Sequence, residues 1–310
     1  MNQTKQLFGG GWTEEKLERV RKYLNAYVKI MSNQKDATGA LKYRFAYIDA
    51  FAGTGYRAIK RTNSQNSVLQ ELLFQEENES DSVMLPDQDQ FLDGSARIAL
   101  QIQPQFHKYI FIERDRNRFA ELHNLKEEFP SHDITLINAD ANSYLQDLCL
   151  NYSWKKNRAV LFLDPFGMEV TWETIKAIAK TKAIDLWLLF PLGVAVNRML
   201  TKNGRIYPAW QKRLNEMFGT DDWYEAFYQA YSQTDLITGE QIIFTYKSTN
   251  FNLIEQYFVR RLKSIFAGVA ENPLRLLNSH NNPLYLLCFA SGNPVGAKTA
   301  VKIAQNILER

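Results

Sequence analysis

Cysteine is nearly absent from this chain: among 310 residues there are only Cys149 and Cys288. Two thiols so far apart match no zinc spacing and cannot build the disulfide framework of a small secreted domain. Each lies among apolar neighbours, the setting of a small buried side chain. Histidine is also scarce. His107, His123, His132 and His280 form no H-x-H or H-E-x-x-H pair, so no metal centre is expected. No uncharged apolar run approaches the roughly 18 residues that cross a bilayer, and the opening MNQTKQLFGGGW lacks the apolar core of a secretory signal. A cytoplasmic protein without a membrane partner is expected. Internal repeats and low-complexity tracts are missing too. With 45% hydrophobic residues and 13% aromatics, the chain is able to bury a large core, and is read as one domain over residues 1–310 with insertions.

What is present is an alternation. Thr13 is placed to cap a helix with Glu14 and Glu15 in its first turn, and Leu17, Val20, Leu24, Tyr27, Val28 and Met31 recur on one face. Strand-like runs follow: RFAYIDAF, KYIFIERD, Ile134 to Asn138, AVLFLDPFG and DLWLLFPLG. Helical stretches separate them, one from Ser95, one from Arg116 to Phe129, one from Tyr144 to Leu150, and one behind a Thr171 cap. Strands alternating with helices imply a parallel sheet. The C-terminal part offers IIFTYK, a helix from Phe251 to Phe266, the strand LYLLCFAS and a last helix from about Val295.

Two stretches interrupt the series. Residues 57–93 are polar and acidic, and 194–241 are rich in aromatic and basic side chains. The net charge of +3 hides this contrast, because Glu76, Glu77, Glu79, Asp81, Asp87 and Asp89 all lie in the first stretch, and the rest of the chain carries an excess of nine positive charges. A moderately basic body suits a polyanionic partner.

In an open α/β sheet, ligands sit beyond the carboxyl ends of the strands, so the residues after each apolar run carry the chemistry. The first run ends in DAFAGTGYR: Asp49 supplies a carboxylate, and the turn Phe51, Ala52, Gly53 and Gly55 lets backbone approach a nucleotide. Gly53, Gly55 and Ala58 also satisfy the G-x-G-x-x-A form of a dinucleotide fingerprint. Spacing argues against that reading. Asp49 and Glu113 lie 64 positions apart, against roughly 20 in a compact dinucleotide unit. Glu113 is suited to accept from two ribose hydroxyls. Asp140 can accept from an adenine amino group with Ala141 leaving room for the ring, or it can simply cap a helix. At the fourth tip, Asp164, Pro165 and Phe166 form a turn able to hold an amino group, with the Asp164 carboxylate and Pro165 carbonyl as acceptors and Phe166 stacking on a base. The plainer alternative is a tight turn with a core phenylalanine.

DAFAGTGYR resembles the first motif of class I S-adenosylmethionine-dependent methyltransferases. The strings FGGGWT, YIDAFAGTGYR, YIFIERD, INADAN, AVLFLDPFGMEVTW, AIDLWLLFPLGVAVNRML and PLYLLCFASGNPVGAK together resemble the bacterial three-Cys-motif partner family over nearly the whole chain. That resemblance implies a Rossmann-like, mostly parallel seven-stranded sheet with helices on both faces plus helical insertions. It also implies S-adenosylmethionine as cofactor and a protein with a three-cysteine motif as partner. DPFG is similar to the fourth motif of tRNA guanine N2 dimethyltransferases, and more distantly to the DPPY of nucleic-acid amino methyltransferases, from which it departs at Phe166.

For the substrate side, Arg198, Lys202, Arg205, Lys212 and Arg213 are interleaved with Tyr207 and Trp210, a mixture suited to phosphates and bases. It equally fits a solvated helix with its aromatics turned inward. The leading expectation is a methyltransferase acting on a nucleic-acid base amino group, in RNA before DNA. A methyltransferase of a small molecule or partner protein, and a nucleoside-binding subunit without catalysis, are the alternatives.

Overall fold

The computed structural model describes residues 11–54, 56–58, 91–234 and 240–309. Gly55 and most of the acidic stretch therefore lie outside the described residues. The strands are β1 (Arg44–Asp49), β2 (Tyr56–Ala58), β3 (Phe91–Asp93), β4 (Lys108–Ile112), β5 (Ile134–Ile137), β6 (Asn157–Leu163), β7 (Ile184–Phe190), β8 (Tyr228–Thr234), β9 (Gln241–Lys247), β10 (Gly268–Val269), β11 (Leu274–Leu277) and β12 (Pro283–Ser291). The helices are α1 (Gly11–Ser32), α2 (Ser95–Leu100), α3 (Arg116–Glu128), α4 (Ala141–Asn151), α5 (Trp172–Lys180), α6 (Asn197–Met199), α7 (Pro208–Phe218), α8 (Trp223–Phe227), α9 (Phe251–Lys263) and α10 (Ala297–Leu308), with a π-helical turn at Leu192–Val196.

The central sheet runs β5-β4-β1-β6-β7-β12, with β10 and β11 on the far side of β12. The first five strands are parallel, and β12 is antiparallel to β7. Successive side chains point to opposite faces, and both faces are covered. Phe45 and Tyr47 of β1 and Val160 and Phe162 of β6 enter one apolar layer, while Ile48, Leu161 and Leu163 enter the other. This two-sided burial is why the strands read as continuous apolar runs. Helices α1, α2, α3 and α10 pack on the first face, and α4, α5, α7 and α9 on the second. The fold is a Rossmann-like, mostly parallel α/β sheet with helices on both faces.

Local signals account for most element boundaries. Asp115 caps α3 by accepting from Asn117 N and Arg118 N, Asp140 caps α4, Thr171 caps α5 and Asn250 caps α9. The first helix departs from expectation: it is already helical at Gly11, the first described residue, so Thr13 lies inside it rather than capping it. The last helix starts at Ala297, leaving Val295 in the preceding loop with 93% exposure.

The edge of the sheet differs more. Between the pairs Gly268↔Ser291 and Leu274↔Leu287 the edge chain advances six residues while β12 advances four. Glu271, Asn272 and Pro273 occupy this break, and proline has no N–H for the ladder. Counting the broken edge as one strand gives seven; counting its halves gives eight. IIFTYK is not part of this sheet. It pairs with β8 in a separate hairpin, so the hairpin spans position 241, where the aromatic and basic stretch was expected to end. At the two ends of the acidic stretch Tyr56 pairs with Asp93 and Ala58 with Phe91, in a two-stranded ladder separate from the central sheet.

Candidate cofactor cleft and active site

The parallel strands deliver their carboxyl ends to one rim. There a cleft of about 620 Å³ is lined by Ala50 and Phe51 after β1, Glu113 and Arg114 after β4, Ala139, Asp140 and Ala141 after β5, and Phe166 to Glu169 after β6. Ala195, Met199, Arg213 and Glu216 close it from the segment after β7. Two further cavities open at the opposite end of the sheet. One is lined by Arg44, Lys108 and Asn157, the first residues of their strands, and the other by Tyr23 and Asp185. Ligands of parallel sheets bind beyond the carboxyl ends, which singles out the first cleft.

Glu113 organises it. Its side chain is 5% exposed, Gly53 N donates to Oε2 at 3.0 Å, Asp115 N donates to Oε1 at 2.8 Å, and Arg118 lies 3.4 Å from Oε1. These contacts tie the glycine turn to the tip of β4. Gly53 has φ +61°, a left-handed conformation that glycine adopts without strain. Ala52 is buried and its N–H donates to Ile112 O at 3.0 Å.

Asp140 does act as a helix cap: its Oδ1 accepts from Ser143 N at 2.9 Å and from Ser143 Oγ at 3.2 Å. It also lines the cleft. Ala141 opens α4 beside it and presents only a methyl group.

Phe166 is 53% exposed, with the Arg118 guanidinium 5.1 Å from its ring centre. The turn that carries it is pinned. Gly167 has φ +73°, Asn142 Nδ2 donates to Glu169 O at 2.8 Å, and Thr171 N donates to Asn142 Oδ1 at 3.1 Å. Glu169 accepts from Phe166 N at 3.2 Å. Burial raises the Glu169 carboxyl, Arg114, the Phe166 N–H and Arg118 pull it down, and the charge of Glu113 adds to the rise.

Asp49, Asp164 and Pro165 are not in the cleft wall. Asp49 is fully buried beneath it, where Tyr47 OH donates to Oδ2 at 3.3 Å and Phe51 N to Oδ1 at 3.4 Å. Burial pushes its carboxyl up to about 7, opposed by a hydrogen bond from Ser95 and reinforced by the charge of Asp164. Asp164 is 24% exposed and turns toward α1, where Lys16 Nζ donates to its Oδ2 at 2.5 Å. Pro165 is buried.

Lys16 is the residue that sequence reasoning missed. Its side chain is 5% exposed, with the ammonium 5.3 Å from the Trp12 ring centre and 5.9 Å from that of Phe162. The available signal was its position: four residues before Val20, it puts a charge on the apolar stripe of α1, where burial demands a partner. Arg118 and Glu169 were also passed over. Both lie just beyond an expected acidic tip.

The two cysteines lie far from this chemistry. Both are buried, and burial pushes the Cys149 thiol up to about 12.

No protein-family model matches the chain, and no curated protein matches it either. Solved structures do. Protein LPL1258 from Legionella pneumophila is 15% identical, with 97% of this chain and 91% of that one covered and a TM-score of 0.46. An S-adenosylmethionine-dependent methyltransferase from Clostridium acetobutylicum is 11% identical, covering 90% and 91%, with a TM-score of 0.35. Trm1 from Pyrococcus horikoshii, solved with S-adenosyl-L-methionine, is 10% identical, covering 96% and 77%, also with a TM-score of 0.35. Among the described residues no helix is long and apolar enough to cross a membrane.

Proposed function

We propose that this chain is an S-adenosylmethionine-dependent methyltransferase acting on an exocyclic amino group of a nucleic-acid base, in RNA before DNA. One observation carries the reading: Phe51, Glu113, Asp140, Ala141 and Phe166, contributed by four parallel strand ends, line a single cleft large enough for a nucleoside. The donors and acceptors present fit that cofactor. Glu113, a buried carboxylate on the cleft wall, would hold the ribose hydroxyls; Asp140 and Ala141 would flank the adenine; and the Phe51–Gly53 turn would follow the amino-acid part. Bound there, S-adenosylmethionine supplies an electrophilic methyl group.

The chain's own residues then have to position the acceptor and exclude water, which in such displacements supplies most of the rate. Phe166 is exposed at the cleft and free to stack on a base. Asp164 turns toward α1 with its Oδ2 engaged by Lys16, and neither it nor Pro165 lines the cleft wall, so an amino group would have to pass Phe166 to be oriented by Asp164 Oδ1 and the Pro165 carbonyl. The likeness of DPFG to the corresponding tetrad of tRNA guanine enzymes, rather than to DPPY, favours RNA.

The test offers the purified protein methyl-labelled S-adenosylmethionine together with separate RNA, DNA, protein and metabolite fractions. Label in RNA is the expected result. Label confined to protein or metabolites overturns the nucleic-acid reading, and absence of cofactor binding by calorimetry overturns the methyltransferase reading itself. A three-Cys-motif protein belongs in the protein fraction, as substrate or as required partner.

A further inference from the structure

The hairpin β8–β9 stands apart from the central sheet, and its register from Tyr228↔Lys247 to Thr234↔Gln241 decides which side chains share a face. Residues directly opposite in an antiparallel pair point the same way, and alternate positions repeat that direction. Gln229, Tyr231, Phe244 and Tyr246 therefore form one face. The Tyr231 and Phe244 rings stack at 5.4 Å with planes 22° apart, Tyr246 lies 5.8 Å from Tyr231, and Tyr246 OH donates to Gln229 Oε1 at 2.6 Å. All three rings are open to solvent, at 49%, 40% and 42% exposure. Three adjoining wet rings on a ribbon are an apolar patch that marks a binding surface.

The surroundings say what the surface receives. At the root of the ribbon, Lys247 N donates to Lys202 O at 2.9 Å and Lys247 Nζ donates to Asn197 O and Oδ1 at 3.1 and 2.7 Å. These bonds fix the segment from Asn197 to Arg205 against the root of the hairpin, on the face that carries Thr245 and Lys247 and opposite to the rings. Arg198, Lys202 and Arg205 on it are exposed, and among the described residues none is ion-paired to an acidic side chain. The same segment reaches the cleft, since Ala195 and Met199 on either side of Arg198 line it. Flat rings that tolerate any π-face, unpaired cations at the root of the same ribbon against its other face, and continuity of that segment with the cleft mouth together match a flexible polyanion that carries bases and wraps the ribbon.

We propose that the aromatic face of β8–β9, with Arg198, Lys202 and Arg205 at its root, is a docking platform for a single nucleic-acid strand whose target base enters the cleft. This rests on the nucleic-acid reading above and adds the surface that recognises the substrate. Bases stack on Tyr231, Phe244 and Tyr246, and the cations track the phosphates.

The experiment measures binding of a fluorescently labelled, unstructured 20-nucleotide RNA, and of its DNA counterpart, by anisotropy over a range of salt concentrations. Tyr231→Ser with Phe244→Ser is expected to weaken RNA binding by about 10- to 100-fold with little change in salt dependence. Arg198→Gln with Lys202→Gln and Arg205→Gln should flatten the slope of log affinity against log salt by about two, close to 0.7 per released phosphate contact on a single strand. These side chains are exposed, so folding is checked simply by an unchanged circular dichroism spectrum and thermal midpoint. Wild-type affinity in both variants overturns the platform, as does a ribbon-dependent self-association that appears in place of RNA binding. Tighter binding of DNA than RNA overturns the choice of RNA. Cofactor calorimetry on the same variants separates the two readings: intact cofactor binding without ribbon-dependent RNA binding removes the platform alone, and ribbon-dependent RNA binding without cofactor binding removes the methyltransferase reading alone.

Discussion

The ion pair between Lys16 and Asp164 ties the first helix to the fourth strand tip across 148 positions of sequence, and its energetics can be read from a pair of substitutions. Asp164→Asn keeps the shape of the side chain and removes its charge. The ammonium of Lys16, 5% exposed and set against Trp12 and Phe162, would then lack its carboxylate. Removing one partner of a buried pair costs about 3–5 kcal/mol, because the remaining charge stays desolvated. Asp164 is 24% exposed, so water at its side places the loss at the lower end, about 3 kcal/mol. Lys16→Met in the Asp164→Asn background replaces the stranded ammonium with an apolar chain of similar length against two aromatic rings. The double variant should recover at least about 2 kcal/mol of that loss, the signature of coupling between neighbours. Urea unfolding followed by tryptophan fluorescence reads this directly, as a drop in midpoint for Asp164→Asn at constant m and a rise back for the double variant. An Asp164→Asn protein within about 0.5 kcal/mol of wild type, or a double variant no more stable than the single, would refute the reasoning. The same pair serves the functional question. Lost turnover in Asp164→Asn alone could reflect a disturbed fold, whereas lost turnover with intact cofactor affinity in the double variant assigns Asp164 to the acceptor.

Two other outcomes follow from the site. Asp49 has its carboxyl pushed from an ordinary 3.8 to about 7, chiefly by burial, with Ser95, Phe51 N and Tyr47 opposing and Asp164 adding to the rise. A carboxyl raised in the folded state binds its proton more tightly there than in the unfolded chain. Its contribution to stability is therefore whole below pH 3.8 and lost as pH climbs to about 7, some 4 kcal/mol in all. Asp49→Asn should remove that slope and be more stable than wild type at pH 8 while matching it near pH 4; parallel urea midpoints for the two proteins across this range would discard the assignment. Glu113→Gln should weaken S-adenosylmethionine binding by about 1.5–3 kcal/mol, or 10- to 100-fold, since an amide offers one acceptor where the carboxylate serves Gly53, Asp115 and the ribose. Unchanged affinity by calorimetry would take Glu113 out of the cofactor site.

At Asp49 a buried carboxyl whose ionised form is unfavourable is kept directly below the cleft, a pattern typical of functional positions.

The alternation of apolar runs with amphipathic stretches by itself determined the parallel sheet and the placing of Glu113, Asp140 and Phe166 at strand ends. These follow from local periodicity and from chain direction, which brings every parallel strand to the same rim. Thr171 as a cap was legible for the same reason, since a cap is satisfied within three residues. Tertiary structure alone decided which of two spatial partners a residue takes. Asp164 could face a cleft or a helix, and only the packing of α1 on the sheet brought Lys16 to it. The break at Glu271–Pro273 hid an edge strand whose halves are too short to show a period. IIFTYK carried the residues of a strand, but pairing is a property of two segments, and its partner Tyr228–Thr234 lay in a stretch that reads as polar and aromatic rather than as a strand. Short-range order is written in neighbouring residues; long-range charge pairing and strand pairing depend on chain segments that only the folded core brings together.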